Sequence, residues 1–121
     1  MTTTAGTDLI EQADSKVTAE RVLIVEDDAS ARSGLEQLVK SWGFIAESAS
    51  DGEEALEKVT SFRPAIVITD LVMPRMDGWR FLEVLRNDAS LKAIPVVVIS
   101  AHANTHTPEG ADGLIPKPHT L

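Results

Sequence analysis

Five polar side chains stand where separate apolar runs end, and their types suit one chemistry. Glu26 and Asp27 follow the run 22–25, and Asp70 follows 65–69. Ser100 follows 95–99, and Lys117 follows 113–116. Gathered in one cleft, the three carboxylates would repel. Two unit charges ~4 Å apart cost about 4 kcal/mol at an effective dielectric of ~20. A protonated carboxyl or a bound cation relieves such a cluster. An all-oxygen set suits a hard cation, Mg2+ before calcium or zinc. Mg2+ also keeps open positions that a phosphate oxygen can fill. Lys117 adds positive charge and Ser100 a hydrogen-bond donor, so the five residues would form a site for a phosphoryl group in transit. Asp70 stands alone at the end of a central run and is the candidate nucleophile, forming an acyl phosphate. Glu26 and Asp27 are then metal holders, and Ser100 and Lys117 contact phosphoryl oxygens. Each residue alone has a plainer account. An Asp at a strand end commonly caps a turn, acids 26–28 suit the start of a helix, and one lysine is ordinary surface. Only their joint placement carries the reading.

That placement needs strands alternating with helices. Strand-like runs fall at 22–25, 44–46, 65–69, 95–99 and 113–116. Residues 29–42 form an amphipathic pattern with Leu35, Leu38, Val39 and Trp42 on one side, and Gly43 stops it. Ser50 with Glu53 reads as the cap of a second helix burying Ala55, Leu56 and Val59, and Pro64 forbids its continuation. Residues 79–86 read as a third helix burying Phe81, Leu82 and Leu85. This alternation predicts an α/β class, doubly wound, with a five-stranded parallel sheet. The uninterrupted apolar strands agree, because both faces of such a sheet are covered. In that architecture the C-terminal strand ends share one edge, where ligands bind.

The composition narrows the function. A chain of 121 residues is one domain with room for a core. It has no cysteine, which excludes disulfide frameworks and thiolate chemistry. Acids outnumber bases 19 to 11, for a net −8, so direct nucleic-acid binding is not expected. No apolar run reaches the ~18 residues of a membrane span. The start, MTTTAGTDLIEQ, lacks the pattern of a secretory signal. A cytoplasmic protein is expected. Residues 1–20 read as an N-terminal extension, either disordered or a short helix with Leu9, Ile10, Ala13 and Val17 near one face. The domain proper is 21–121. His102, His106 and His119 read as loop residues rather than a metal site. Trp42 and Trp79 read as packing groups on helices.

Residues 21–118 resemble the receiver domain of two-component response regulators. The strongest piece is Asp70-Leu71-Val72-Met73-Pro74-Arg75-Met76-Asp77-Gly78, similar to the family's D-x-x-M-P-x-x-D-G run around its phosphorylated aspartate. Glu26-Asp27, Ser100-Ala101 and Lys117-Pro118 match the family's acidic pair, hydroxyl and Lys-Pro. The resemblance implies a flavodoxin-like strand order, 2-1-3-4-5. It implies that Asp70 takes a phosphoryl group from a sensor histidine kinase or a phosphotransfer protein. Asp27, Asp70 and the backbone carbonyl of Val72 would bind Mg2+ directly, with Glu26 acting through metal-bound water. Lys117 would pair with the phosphoryl group, and Ser100 would shift inward as the switch. Val72 and His102 occupy positions that tune phosphoryl lifetime, and a cis bond before Pro118 is expected, at a cost of only ~0.5–1 kcal/mol.

Three departures set further expectations. The interval from Ser100 to Gly110 is too short for the family's fourth helix, which is expected to be absent or reduced to a turn. Leu114 stands where the family places an aromatic residue, and leucine lacks its amphipathic in-or-out choice. The family's C-terminal helix is missing, which would leave one sheet face partly bare. A longer chain, the N-terminal stripe, or a homodimer covering each bare face are the competing remedies. The rival to a phosphoacceptor is a receiver-fold interaction or dimerisation module that uses phosphorylation weakly or not at all. A phosphohydrolase is disfavoured, because Val72 stands where such enzymes place a second Asp as general acid. No glycine-rich phosphate loop supports a nucleotide site. Acyl-phosphate formation on Asp70 would be stoichiometric, so the chain is not expected to be an enzyme.

Overall fold

Four of the five strands are built from β-branched and other apolar residues, and they pair side by side in parallel. The structure is a computed structural model that describes residues 20–70, 76–100 and 107–116. Its elements in chain order are β1 (Arg21–Val25), α1 (Ala29–Ser41), β2 (Ile45–Ala49), α2 (Gly52–Phe62), β3 (Ile66–Asp70), α3 (Gly78–Arg86), β4 (Val96–Ser100) and β5 (Gly113–Pro116). The sheet order is β2-β1-β3-β4-β5, all parallel, which is the doubly wound arrangement expected. A helix between β4 and β5 is expected to be absent or reduced to a turn, and the described part of that interval, 107–112, holds only a turn at Glu109–Gly110 and no helix. The N-terminal extension through residue 19, Val72, the three histidines and the Lys117-Pro118 bond lie outside the described residues.

Side-chain alternation along the strands divides the core in two. On one face Leu23, Val25, Ala49, Val67, Val96 and Val98 meet Ala55 and Val59 of α2 and Phe81, Leu82 and Leu85 of α3. On the other, Val22, Ile24 and Ala46 meet Val39 of α1, with Leu35, Ile66 and Ile68 partly buried beside them. α1 packs over β1 and β2. The outer strand of that face is less covered, and Ile115 of β5 is 54% exposed. Leu114 turns the opposite way and packs on the larger cluster.

Three readings need correction. β2 runs over Ile45–Ala49, beyond the 44–46 expected. It is an edge strand, so Glu47 and Ser48 sit in it without burial of charge, and Ser48 Oγ donates to Glu36 of α1 at 2.9 Å. The cap of α2 is Asp51, not Ser50. Asp51 Oδ1 accepts from Glu54 N at 2.9 Å, while Glu54 Oε1 accepts from Ser50 N and Ser50 Oγ. The two tryptophans are not core residues: Trp42 is 65% exposed and Trp79 is 49% exposed. Trp42 lies on the apolar stripe of α1 but follows its last turn, with its N–H on the Val39 and Lys40 carbonyls. Gly43 ends α1 at φ +96°, a conformation that costs glycine little. α2 stops before Pro64 with Arg63 left-handed at φ +53°.

Candidate functional site

Register brings the strand ends to one level. Val25 pairs with Thr69, so Glu26 and Asp70 come next on neighbouring strands. Asp70 pairs with Ile99, the residue before Ser100, and Ser100 pairs with Pro116, the residue before Lys117. Glu26, Asp27, Asp70 and the backbone of Ser100 therefore share the C-terminal edge of the sheet. Carboxylate oxygens of Glu26, Asp27 and Asp70 all lie within 4.8 Å of one another. Glu26 is 1% exposed and Asp70 is 9% exposed, whereas Asp27 faces solvent. Val72 and Lys117, the other two residues assigned to the site, lie outside the described residues.

Local sequence explains how the acids are held. Asp28 ends the β1–α1 loop as the cap of α1, its Oδ2 accepting from Ala31 N at 2.8 Å. Asp28 N donates to Glu26 Oε2 at 3.2 Å, which fixes the buried carboxylate from its own loop. Arg32 Nη1 donates to the Glu26 carbonyl at 2.9 Å and to the Asp27 carbonyl at 3.4 Å. The guanidinium thus ties the acidic loop to the first turns of α1. Next to Asp70, the buried Thr69 Oγ1 donates to the Asp70 carbonyl at 2.9 Å. Asp77 caps α3 by accepting from Arg80 N at 3.0 Å, and Met76 O accepts from Gly52 N at 2.9 Å. The run after Asp70 is thus anchored at its far end to both α2 and α3.

Arg32 and Thr69 were not legible as site residues. One reads as a helical surface base and the other as the last β-branched residue of a strand. Only their hydrogen bonds to the carbonyls of the acidic positions reveal the role. Among the described residues Glu26, Asp27 and Asp70 are the only group of three or more potential ligands. An all-carboxylate set of this span, buried on one side and open on the other, fits a hard divalent cation that retains water.

The chain belongs to the response regulator receiver domain family, whose model matches residues 22–121. It is 37% identical over 106 residues to a probable transcriptional regulator, ycf27, of Guillardia theta, covering 84% of this chain and 41% of that protein. Its fold matches the chemotaxis response regulator CheY4 of Vibrio cholerae with a TM-score of 0.75 at 31% identity, over 84% of this chain and 88% of that one. It also matches the response regulator TrrA of Thermotoga maritima, solved in complex with Mg2+-BeF, with a TM-score of 0.74 at 26% identity, over 83% of this chain and 88% of that one. The chain spans between 41% and 46% of the length of the curated relatives it matches. Among the described residues no helix is long and apolar enough to cross a membrane.

Proposed function

We propose that this receiver domain is a phosphoacceptor that takes a phosphoryl group on Asp70 from the phosphohistidine of a sensor kinase or phosphotransfer protein. The observation that carries the reading is the carboxylate group of Glu26, Asp27 and Asp70, within 4.8 Å at the sheet edge where ligands bind. A carboxylate oxygen of Asp70 attacks phosphorus, the P–N bond of the phosphohistidine breaks, and the imidazole nitrogen leaves with the electron pair and takes up a proton. Asp70 then carries an acyl phosphate. Glu26 and Asp27 would hold Mg2+ with Asp70, and the ion supplies charge neutralisation for the phosphoryl oxygens. Ser100, the last residue of β4, and Lys117, the residue after β5 in sequence, are assigned to the phosphoryl oxygens, and the Val72 carbonyl to the metal. The TrrA complex supports the metal and phosphoryl-like ligand for this fold.

The transfer is stoichiometric, and its product is a changed interaction surface rather than a turned-over substrate. Transcriptional output, suggested by the name of the Guillardia relative, would belong to parts of a longer protein. A cytoplasmic setting goes with the cysteine-free composition. The intact acidic group favours phosphoryl acceptance over a module that has abandoned it. Incubation with acetyl phosphate and Mg2+ should add the mass of one phosphoryl group, and Asp70→Asn should abolish the gain. No gain with acetyl phosphate or any other small donor would overturn the reading.

A further inference from the structure

β5 is an edge strand of only four residues, and burial specifies its register weakly. Leu114 alone among its described side chains packs on the core, while Ile115 points to solvent and Gly113 has no side chain. A slip by one residue would turn Leu114 outward and reverse the strand's faces. Among the described residues, the segment leading into β5 is 107–112, which turns at Glu109–Gly110 and forms no helix. Something else must fix the strand.

Arg86, the last residue of α3, makes that connection. Its Nε donates to the Gly110 carbonyl at 2.6 Å. Its Nη1 donates to the carbonyls of Lys92 at 2.9 Å and Ile94 at 2.8 Å. Its Nη2 meets Asp112 Oδ2 at 2.9 Å. That same Asp112 oxygen accepts from Val96 N at 2.9 Å, and Asp112 N donates to the Val96 carbonyl at 2.8 Å. One guanidinium therefore locks the end of α3, the 88–95 connection, the start of β4 and the residue before β5. Gly110, at φ +92°, lies against it: a Cβ there would stand 3.3 Å from Arg86 Cγ. Only the planar fork of arginine can serve these acceptors together.

We propose that Arg86 is a positioning residue, whose latch to Asp112 sets the register of β5 and with it the point from which the chain enters Lys117. The proposal rests on Asp70 being the phosphoacceptor and Lys117 its cationic partner. The acids assigned to the metal follow β1 (Glu26 and Asp27) or end β3 (Asp70), and the latch touches neither strand. Loss of the latch should therefore slow phosphoryl uptake without weakening Mg2+ binding.

The test compares the full chain with Arg86→Met, Arg86→Lys and Asp112→Asn. Uptake from acetyl phosphate at saturating Mg2+, Mg2+ affinity by calorimetric titration, and amide exchange at Leu114 and Ile115 are measured for each. Arg86→Met should slow uptake at least tenfold, leave Mg2+ affinity within twofold, and speed exchange at Leu114 and Ile115 but not in β1. Arg86→Lys should fall between, and replaces the methionine variant if that one does not fold. Uptake within twofold of the parent, a parallel loss of Mg2+ affinity, or exchange accelerated equally in β1 would each overturn the proposal. Failure of the parent chain itself to take up phosphate overturns the phosphoacceptor reading instead, and unchanged exchange at Leu114 and Ile115 would then overturn the latch.

Discussion

The backbone N–H of Gly52, at the start of α2, donates to the carbonyl of Met76 at 2.9 Å. Met76 lies six residues beyond Asp70, so this bond docks the run that follows the candidate phosphoacceptor onto a helix across the cleft. The approach is too close for a side chain. A Cβ on Gly52 would stand 2.6 Å from the Met76 carbonyl oxygen and 2.7 Å from Met76 Cγ. Gly52→Ala should therefore destabilise by about 1–3 kcal/mol, as overpacking does. In a domain of this size each kcal/mol lowers the melting temperature by about 4–8 °C. A calorimetric melt within 2 °C of the parent would contradict the close approach.

Core and surface should answer differently to truncation. Leu85 is fully buried between α3 and the sheet, whereas Trp42 is mostly exposed. Leu85→Ala should cost about 2–5 kcal/mol, from lost transfer energy and the cavity left behind. Trp42→Gln should stay within about 0.5 kcal/mol, despite removing the larger residue. Urea unfolding of both variants gives the comparison. A cost above about 2 kcal/mol for Trp42→Gln would mean that the ring packs on something.

These contrasts mark where the sequence is legible and where it is not. The acids of the site announce themselves, because Glu26 and Asp70 stand where apolar strands end. Phe81, Leu82 and Leu85 are equally plain from helical spacing. Trp42 misleads because periodicity places it on the apolar stripe of α1 while saying nothing of where that helix outruns its neighbours. β2 is understated because an edge strand tolerates Glu47 and Ser48, so its pattern looks broken. Arg86 is invisible in principle. It resembles any base at a helix end, and its partners Gly110 and Asp112 lie 24 and 26 residues away, brought near only by the finished sheet.

Acid should weaken the α2 cap. Hydrogen bonds from the Ser50 backbone hold the Glu54 carboxyl below its ordinary range against the opposing effect of burial, with help from the Ser50 hydroxyl and Lys58. Burial pushes Glu36 upward, but hydrogen bonds from Lys40 and Ser48 and the charges of Lys40 and Lys58 outweigh it, so that carboxyl also lies low. A depressed carboxyl stabilises the fold above its unfolded pKa of ~4.3, and the contribution is lost as pH falls through the lower folded value. Stability should thus decline below about pH 4.3, and Glu54→Gln should make the decline shallower while lowering stability at pH 7. Both groups are partly open to solvent, which screens the effect. An unchanged slope in urea titrations across that range would remove Glu54 as a contributor.

The carboxylate group at the sheet edge makes a prediction of opposite sign for the metal-free and metal-bound protein. With Glu26 and Asp70 buried beside it, Asp27 adds a third negative charge within 4.8 Å of the others. Removing that charge relieves repulsion in the absence of a cation, so Asp27→Asn should raise the melting temperature of the chelator-treated protein by a few degrees. Its own exposure, through solvent screening, keeps the gain well under the ~4 kcal/mol of a fully effective pair. With Mg2+ the order should reverse. Binding to the folded state alone stabilises by RT ln(1 + [L]/Kd), about 2.7 kcal/mol at a hundredfold excess over Kd. The parent chain should gain that increment, and Asp27→Asn should gain little, because an amide oxygen is a neutral and weaker ligand for a hard cation. Melting curves of both proteins, with chelator and across a Mg2+ series, separate the two effects. An equal Mg2+ increment in both would show that Asp27 is not a ligand, and a lower melting temperature for chelator-treated Asp27→Asn would show that the three charges do not oppose one another in the fold.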